Sequence, residues 1–371
     1  MLNPFTTAPP IVQTPVVNFS TLAGLANSGG LLFPQNVVGI DGEGKIPTVM
    51  NYSLSVQQNV GFQTILDVAY VANLARNQMW QRNLNAIPFG ANFLPQNQDA
   101  SAPGSPLPQA FLRPLRGYNN VNFREWASSS NYHSMQVQAN RRFSAGLQFI
   151  ASWTWSKSMD FNSNDTDSVS PLVDPRVWNY GLSSYDRTHV AKFSGVWDLP
   201  KTKFQNVVAK QIFNDWQMSG IVTFSSGQPL GLGFGTVTPV DITGSPTDGP
   251  RIALTGNPIL PKSDRTRTRF FDTSVVRLPA RGTIGNAAKT NIRGPGINNW
   301  DTAFFKDFPI REETRMQLRW ELYNIWNHSQ FTGVDTTARF DAQGAQGNSR
   351  LGELISARPA RIMQFALRLY F

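Results

Sequence analysis

Residues 130–160 read SNYHSMQVQANRRFSAGLQFIASWTWSKSMD. Two runs of strict alternation lie back to back here, with a turn near Ser144 between them. In the first, Met135, Val137 and Ala139 oppose Ser134, Gln136, Gln138 and Asn140. In the second, Leu147, Phe149, Ala151, Trp153 and Trp155 oppose Gln148, Ser152, Thr154 and Ser156, with Ile150 as the apolar intruder. Successive side chains of a strand point to opposite faces, so each run predicts a strand with one apolar and one polar face.

The same signature recurs along the chain, and helical periodicity is almost absent. It predicts nine strands, near 48–60, 62–72, 131–143, 145–157, 187–199, 215–226, 299–309, 313–325 and 361–371. Their connections alternate in length. Short ones follow residues 60, 143 and 309, and a moderate one covers 199–215. The others, 73–130, 158–186, 227–298 and 326–360, are long. A compact soluble domain rarely carries several loops of that size. An outer-membrane barrel does, because its periplasmic turns are short and its outer loops long. If the last strand descends to the periplasm, every short turn falls there and every long loop outside. GYNNVNFREW, Gly117 to Trp126, is strand-like but breaks this parity. It reads as one arm of a hairpin above the membrane, paired with residues near Asn131. Residues 1–47 read as a poorly ordered outer-loop remnant, and 48–371 as barrel.

The totals agree. Of 371 residues, 15 % are charged and 12 % aromatic, with a formal charge of +9. There is no cysteine, which excludes disulfides and thiolate metal sites. Lys and Arg are dispersed, and the densest group, RTRTRF at 265–270, lies among Pro, Gly and Thr, so nucleic acid is not an expected partner. No run of 18 apolar residues offers a transmembrane helix. Trp153, Trp155, Trp197, Trp216, Trp300 and Trp326 are candidates for interfacial aromatic girdles.

Reactive chemistry is sparse, and no catalytic, cofactor-binding or metal-ligating residue is assigned. The three histidines, His133, His189 and His328, fall near outer strand ends and read as hydrogen-bonding rim residues. The Asp-rich stretch 160–174 does not have the spacing of an EF-hand loop and reads as a solvated outer loop. Nucleophile elbows, His-Glu-x-x-His and phosphate-cradling loops are missing, so no enzyme is expected. Lys192, Asp198, Asp301, Asp307, Arg315, Arg319 and Glu321 fall on the inward side of their strands.

Several stretches resemble the C-terminal barrel of TonB-dependent outer-membrane receptors, in particular the Oar-like group. They are NYSLSVQQNV at 51–60, the opening stretch at 130–160, SSYDRTHVAKFSGVWDLP at 183–200 and WQMSGIVTFSSGQPL at 216–230. GNAAKTNIRGPGINNWDTAFFKDFPI at 285–310, RWELYNIWNHSQF at 319–331 and the last strand complete the match. The resemblance implies an all-β, antiparallel transmembrane barrel in a Gram-negative outer membrane, filled by an N-terminal plug on which the TonB complex pulls. It implies energy-coupled uptake of a siderophore, glycan fragment or peptide, with no cofactor. This sequence shows no plug, so it is expected to be an incomplete barrel of about nine or ten strands, touching TonB only through a missing plug. Outer-membrane lipid, lipopolysaccharide and the barrel-assembly machinery are the expected partners. The resemblance also assigns an assembly signal to the last strand: Met363, Phe365, Leu367 and Leu369, closed by the aromatic Phe371. Two alternatives stand beside transport: a structural or adhesive outer-membrane barrel, and a secreted soluble β-protein that binds glycans.

Overall fold

The alternation in the sequence becomes one long antiparallel meander. The structure, a computed structural model, describes residues 34–42, 44–311 and 314–371. Nine strands follow one another in chain order: β1 (Thr48–Gly61), β2 (Thr64–Asn83), β3 (Tyr118–Ser144), β4 (Leu147–Asp160), β5 (His189–Asp198), β6 (Trp216–Ser225), β7 (Ile297–Pro309), β8 (Arg315–Tyr323) and β9 (Ile362–Tyr370). Each pairs with its neighbour in sequence, and all nine expected strands are present. Two short segments flank the path: Gln35–Ile40 runs parallel to β3, and Gly181–Leu182 pairs antiparallel with the end of β4. The expectation of poor order for residues 1–33 lies outside the described residues. The part at 35–40 is a paired strand.

Register joins the alternation across strands. Leu147, Trp197, Met218, Phe304, Trp320 and Phe365 stand in one cross-strand row from β4 to β9. Trp320 stacks on Phe365 with ring centres 5.8 Å apart. On the opposite face, Gln57, Asp67, Gln138, Ser152, Lys192, Thr223 and Asn299 form a polar row from β1 to β7. A slip of one residue in any strand would exchange the faces, so this agreement fixes the register.

The two tightest connections use left-handed backbone. Phe62 and Gln63 turn β1 into β2 with φ of 49° and 57°. Ala145 and Gly146 turn β3 into β4 with φ of 51° and 76°. Two positive φ values in succession are what a two-residue hairpin needs to follow the strand twist. Gly146 is required twice over, because a Cβ there would lie 2.9 Å from the Asp198 carbonyl oxygen.

One expectation is corrected. Gly117–Trp126 is not a separate hairpin arm folded back on residues near Asn131. From Tyr118 on it is the upper part of β3, a strand of 27 residues, and Asn122–Trp126 pair with Met79–Asn83 at the top of β2. A register break between Ala75 and Met79, with Asn77 at φ 53°, marks where this hairpin leaves the spanning layer. Nothing between Trp126 and Asn131 reverses the chain, and buried Ser128 donates to Asn162 just beyond the end of β4. The parity survives because the stretch belongs to a strand already counted.

The position of the core inverts that of a soluble protein. On the apolar face of the strands, Leu54 is 72 % exposed and Phe365 66 %. In the loops, Phe271 and Phe340 are 1 % exposed. The main buried cluster combines Leu232, Ile252, Phe271, Val276, Ala287 and Ile292 from the β6–β7 connection with Val334, Ala338, Phe340, Leu351 and Leu354 from the β8–β9 connection. Small sheets bind them, chiefly Gly233–Thr236 parallel to Thr337–Phe340 and Phe331–Val334 against Leu354–Ala357. The long loops form one folded cap.

Removing the Phe340 ring is expected to cost about 3–5 kcal/mol of cap stability, as for other large-to-small core changes. Limited proteolysis of outer membranes carrying Phe340→Ala should cut residues 226–296 and 324–361 quickly. The strands should remain protected, with heat-shifted gel mobility unchanged.

Candidate functional site

The candidate site is the polar face of the sheet together with the cap above it. Period-two alternation brings the inward charges of β7 and β8 side by side. Arg319 Nη2 lies 2.8 Å from Glu321 Oε1, and its guanidinium sits 4.9 Å from the centre of the Phe305 ring. Tyr323 donates to Glu321 Oε2 at 3.2 Å. Asp301 accepts from the Asn324 backbone N–H at 2.9 Å and from Asn299 at 2.8 Å. Lower on the same face, Asp307 accepts from Gln317 at 3.0 Å and pairs with Arg315 at 3.4 Å. Asp198 accepts from Gln217 at 2.7 Å. Six of the seven inward charges expected from sequence thus have partners on neighbouring positions, while Lys192 stands in the polar row between Ser152 and Thr223.

Asp301, Arg319, Glu321 and Tyr323 border an open hollow of about 460 Å³ on the polar face. Ser194, Ser219, Asp301, Arg319, Glu321 and Tyr323 contribute its polar lining, over a floor that includes Ile150, Ile221 and Phe305. The volume suits a small organic ligand, and the mixed lining suits one with both polar and apolar parts.

The cap is fastened to the strand tops by ion pairs that the sequence did not reveal. Lys289 Nζ lies 2.5 Å from Asp160 Oδ1, where Asp160 is 4 % exposed. Arg293 lies 2.5 Å from Asp186, a carboxylate that also accepts from the Ser158 backbone N–H at 2.7 Å. Glu125 holds Arg82 and Trp80 at the head of the β2–β3 hairpin. Loops distant in sequence also meet: Ile87 and Ser245 exchange hydrogen bonds with one another's segment, and Asn92 donates to Asp241. The Asp-rich stretch, expected to be solvated, is part of this assembly. Phe161 and Val169 are buried with Trp80, Asp167 accepts from the Ser163 and Asn164 backbone, and Asp174 caps the helical turn Pro175–Trp178.

The three histidines lie apart with different partners. His133 shares a 2.7 Å hydrogen bond with the Tyr70 hydroxyl, His189 stacks on Trp153, and His328 meets the Asn298 carbonyl at 2.7 Å. Among the girdle candidates, Trp197 and Trp216 are at the short-turn end. Trp300 and Trp326 meet edge to face at the long-loop end, with centroids 5.9 Å apart, and Trp153 and Trp155 lie along the ascending β4. Met363, Phe365, Leu367, Leu369 and Phe371 are all exposed, the first four on one face of β9.

A family profile described as outer membrane beta barrel domain matches residues 2–364. The chain belongs to this family, and its place is the outer membrane of a Gram-negative bacterium. No curated protein matches it. Among solved structures it is similar to the outer membrane transporter YddB from Escherichia coli, at 8 % identity and a TM-score of 0.43, over 88 % of this chain and 33 % of that one. The ferric-catecholate import receptor Fiu from E. coli K12 matches at 10 % identity and 0.39, over 89 % and 28 %. FpvA from P. aeruginosa, bound to a pyoverdine–iron complex, matches at 9 % and 0.36, over 87 % and 27 %. The chain spans about a third or less of the length of these structures.

Two outcomes test the fastening of the cap. Lys289→Met alone leaves the Asp160 carboxylate buried without its cation and is expected to cost about 3–5 kcal/mol. Adding Asp160→Leu should recover most of the loss, read as hydrogen-exchange protection of residues 284–294. The second concerns pH. Burial raises the Asp248 carboxyl above its ordinary 3.8, against the opposing hydrogen bond from Ser170 and the charge of Arg251. A carboxyl raised in the folded state favours folding when protonated. Its contribution is therefore full below 3.8 and is lost as pH rises through the raised value. Asp248→Asn should remove that decline from exchange rates at 241–250.

Proposed function

We propose that this chain is the C-terminal part of the barrel of a TonB-dependent, Oar-like outer-membrane transporter, which takes up a scarce nutrient such as a siderophore, glycan fragment or peptide. The observation that carries the reading is the division of the sheet into an apolar face and a polar one. The polar face carries the hollow lined by Asp301, Arg319 and Glu321. A lipid-facing wall needs only the first face. A passage needs the second, with groups that hold and release polar cargo. In this reading the cap receives substrate from outside, and the lumen charges contact the cargo or a plug through which the TonB complex acts. Family membership in an outer-membrane class disfavours the soluble glycan-binding alternative.

The partners follow from the same reading. Outer-leaflet lipopolysaccharide and phospholipid meet the exposed apolar face and its Trp girdles. The barrel-assembly machinery engages β9 through Met363, Phe365, Leu367, Leu369 and Phe371, an apolar ladder exposed along an edge strand. An adhesive or structural role remains the second reading, and one observation favours it: the cap has its own hydrophobic core and so presents a fixed surface.

Transport is tested in the source bacterium by deleting the coding region and following uptake of labelled siderophores, glycan fragments and peptides. Loss of uptake of one class, reproduced by collapsing the proton-motive force, is the expected result. Unchanged uptake of every class with lost surface attachment would replace transport with adhesion. Arg319→Ala should lower uptake several-fold at unchanged outer-membrane level. Phe371→Asp should instead lower that level, measured by quantitative blotting of isolated outer membranes.

A further inference from the structure

The connection between β5 and β6 is out of proportion to its task. At the same end of the sheet, β3 passes into β4 through Ala145 and Gly146 alone. Residues 199–215 instead build a defined structure. Thr202 donates its backbone N–H and its hydroxyl to Asn214 Oδ1, each at 2.7 Å, which closes the neck. Asn206 caps helix α1 (Val207–Phe213), accepting from the Val208 and Ala209 backbone. Phe204 packs on Phe213 with ring centres 5.5 Å apart. A seven-residue helix gains little from its own hydrogen bonds and normally depends on packing of an apolar face. Here the apolar side chains are uncovered: Val207 is 73 % exposed and Val208 64 %, and Ile212 and Phe213 are exposed too.

Three observations fix what covers it. The first is attachment. The Trp216 indole N–H donates to the Ile212 carbonyl at 2.8 Å, tying the end of α1 to the start of β6. Trp216 has the parity of Met218, which stands in the apolar row with Phe304 and Trp320. The helix is therefore fastened on the lipid side of the wall. The second is continuity. Lys306, paired with Trp216 on that same side, is 1 % exposed, with its ammonium on the Asp307 carbonyl and the Phe308 ring, so it puts no exposed charge between the patch and the apolar band. The third is charge. Lys201 pairs with Asp215 at 2.7 Å, whereas Lys203 and Lys210 flank the apolar residues and have no ion-pair partner among the described residues.

We infer that residues 199–215 form an interfacial anchor, seated in the headgroup region of the periplasmic leaflet. Val207, Val208, Ile212 and Phe213 enter the upper acyl chains, and Lys203 and Lys210 bind the phosphates of anionic phospholipid. Short amphipathic segments of this composition lie in the interface plane and add apolar burial to electrostatic attraction. The anchor rests on the outer-membrane assignment and adds a lipid contact to one side of the wall at its periplasmic rim.

The chain has no cysteine, so one introduced thiol reports unambiguously. Val208→Cys, labelled with an environment-sensitive fluorophore, is compared with Val56→Cys on the lipid-facing side of β1 and Gln343→Cys in the cap. Each is measured in outer membranes isolated from expressing cells. The expected result at 208 is a blue-shifted emission, stronger quenching by stearate doxylated near the carboxyl than by stearate doxylated deep in the chain, and protection from iodide. Water-like emission with iodide quenching at 208 would overturn the inference, as would iodide protection without doxyl quenching, which marks a protein partner instead. If the label at 56 also escapes doxyl quenching, the membrane reading itself has failed. As a second measurement, Lys203→Gln with Lys210→Gln should weaken the doxyl quenching at 208 and leave that at 56 unchanged; equal quenching with and without the lysines would remove the phospholipid contact.

Discussion

Every backbone N–H and C=O that enters hydrocarbon must find its partner within the protein, since an unpaired one costs several kcal/mol. That constraint organises this chain. It explains why the spanning segments are strands joined edge to edge in sequence order, and why the irregular segments collect at the two ends. It also identifies what the nine strands leave open. Among the described residues β1 pairs only with β2, and β9 only with β8. Nine strands in an up-and-down path begin and end in the same direction. Closing them into an all-antiparallel ring takes an odd number of further strands between β9 and β1; direct contact of the two edges would make a parallel seam.

Once hydrogen bonding is settled by the sheet, side chains respond to which solvent each face meets. In the spanning layer the apolar side chains point to lipid, so their large exposure in the isolated chain is the signature of a lipid face rather than a packing fault. In the cap, which stands in water, the ordinary arrangement returns, with Phe271, Ile252 and Phe340 inside. The two regimes meet at the strand tops. The buried carboxylates Asp160 and Asp186 take their cations there from the cap, through Lys289 and Arg293. These pairs join the cap to defined strand positions, which apolar contact alone would specify less sharply. Gly227 has a related role: a Cβ there would run into the Gly294 carbonyl, so its absence lets the two ends of the β6–β7 connection close against each other.

How much of this was legible in the sequence depended on how many environments a segment meets. β4 to β9 have lipid on one side and a polar interior on the other, so residues such as Trp153 and Thr154 announce their faces. The long β2–β3 hairpin loses that contrast above the register break. There Trp80 packs on Phe161 and Arg82 pairs with Glu125 on one and the same face, so parity no longer separates apolar from charged residues. The strand-like stretch Gly117–Trp126 was visible, but its partner was not. The lumen pairs were half legible: parity placed Arg319, Glu321 and Asp301 on one face, and register made them neighbours. The cap was illegible because its core is assembled from loops far apart in sequence, without a period, between prolines and glycines. Ile87 meets Thr247 across a separation of 160 residues.

The same logic ranks the charges. Arg319 and Glu321 sit on an open face beside a hollow and retain about a fifth of their side-chain exposure, so they are accessible to whatever enters it. Asp186 has none and Asp160 nearly none, and each already holds a cation. A charge that serves a passing ligand must be able to exchange one partner for another, at a small difference in free energy. A charge sealed at the root of the cap loses far more when its partner leaves. Exposure therefore separates the two sets: the pairs on the polar face can exchange partners at small cost, and the rim pairs cannot.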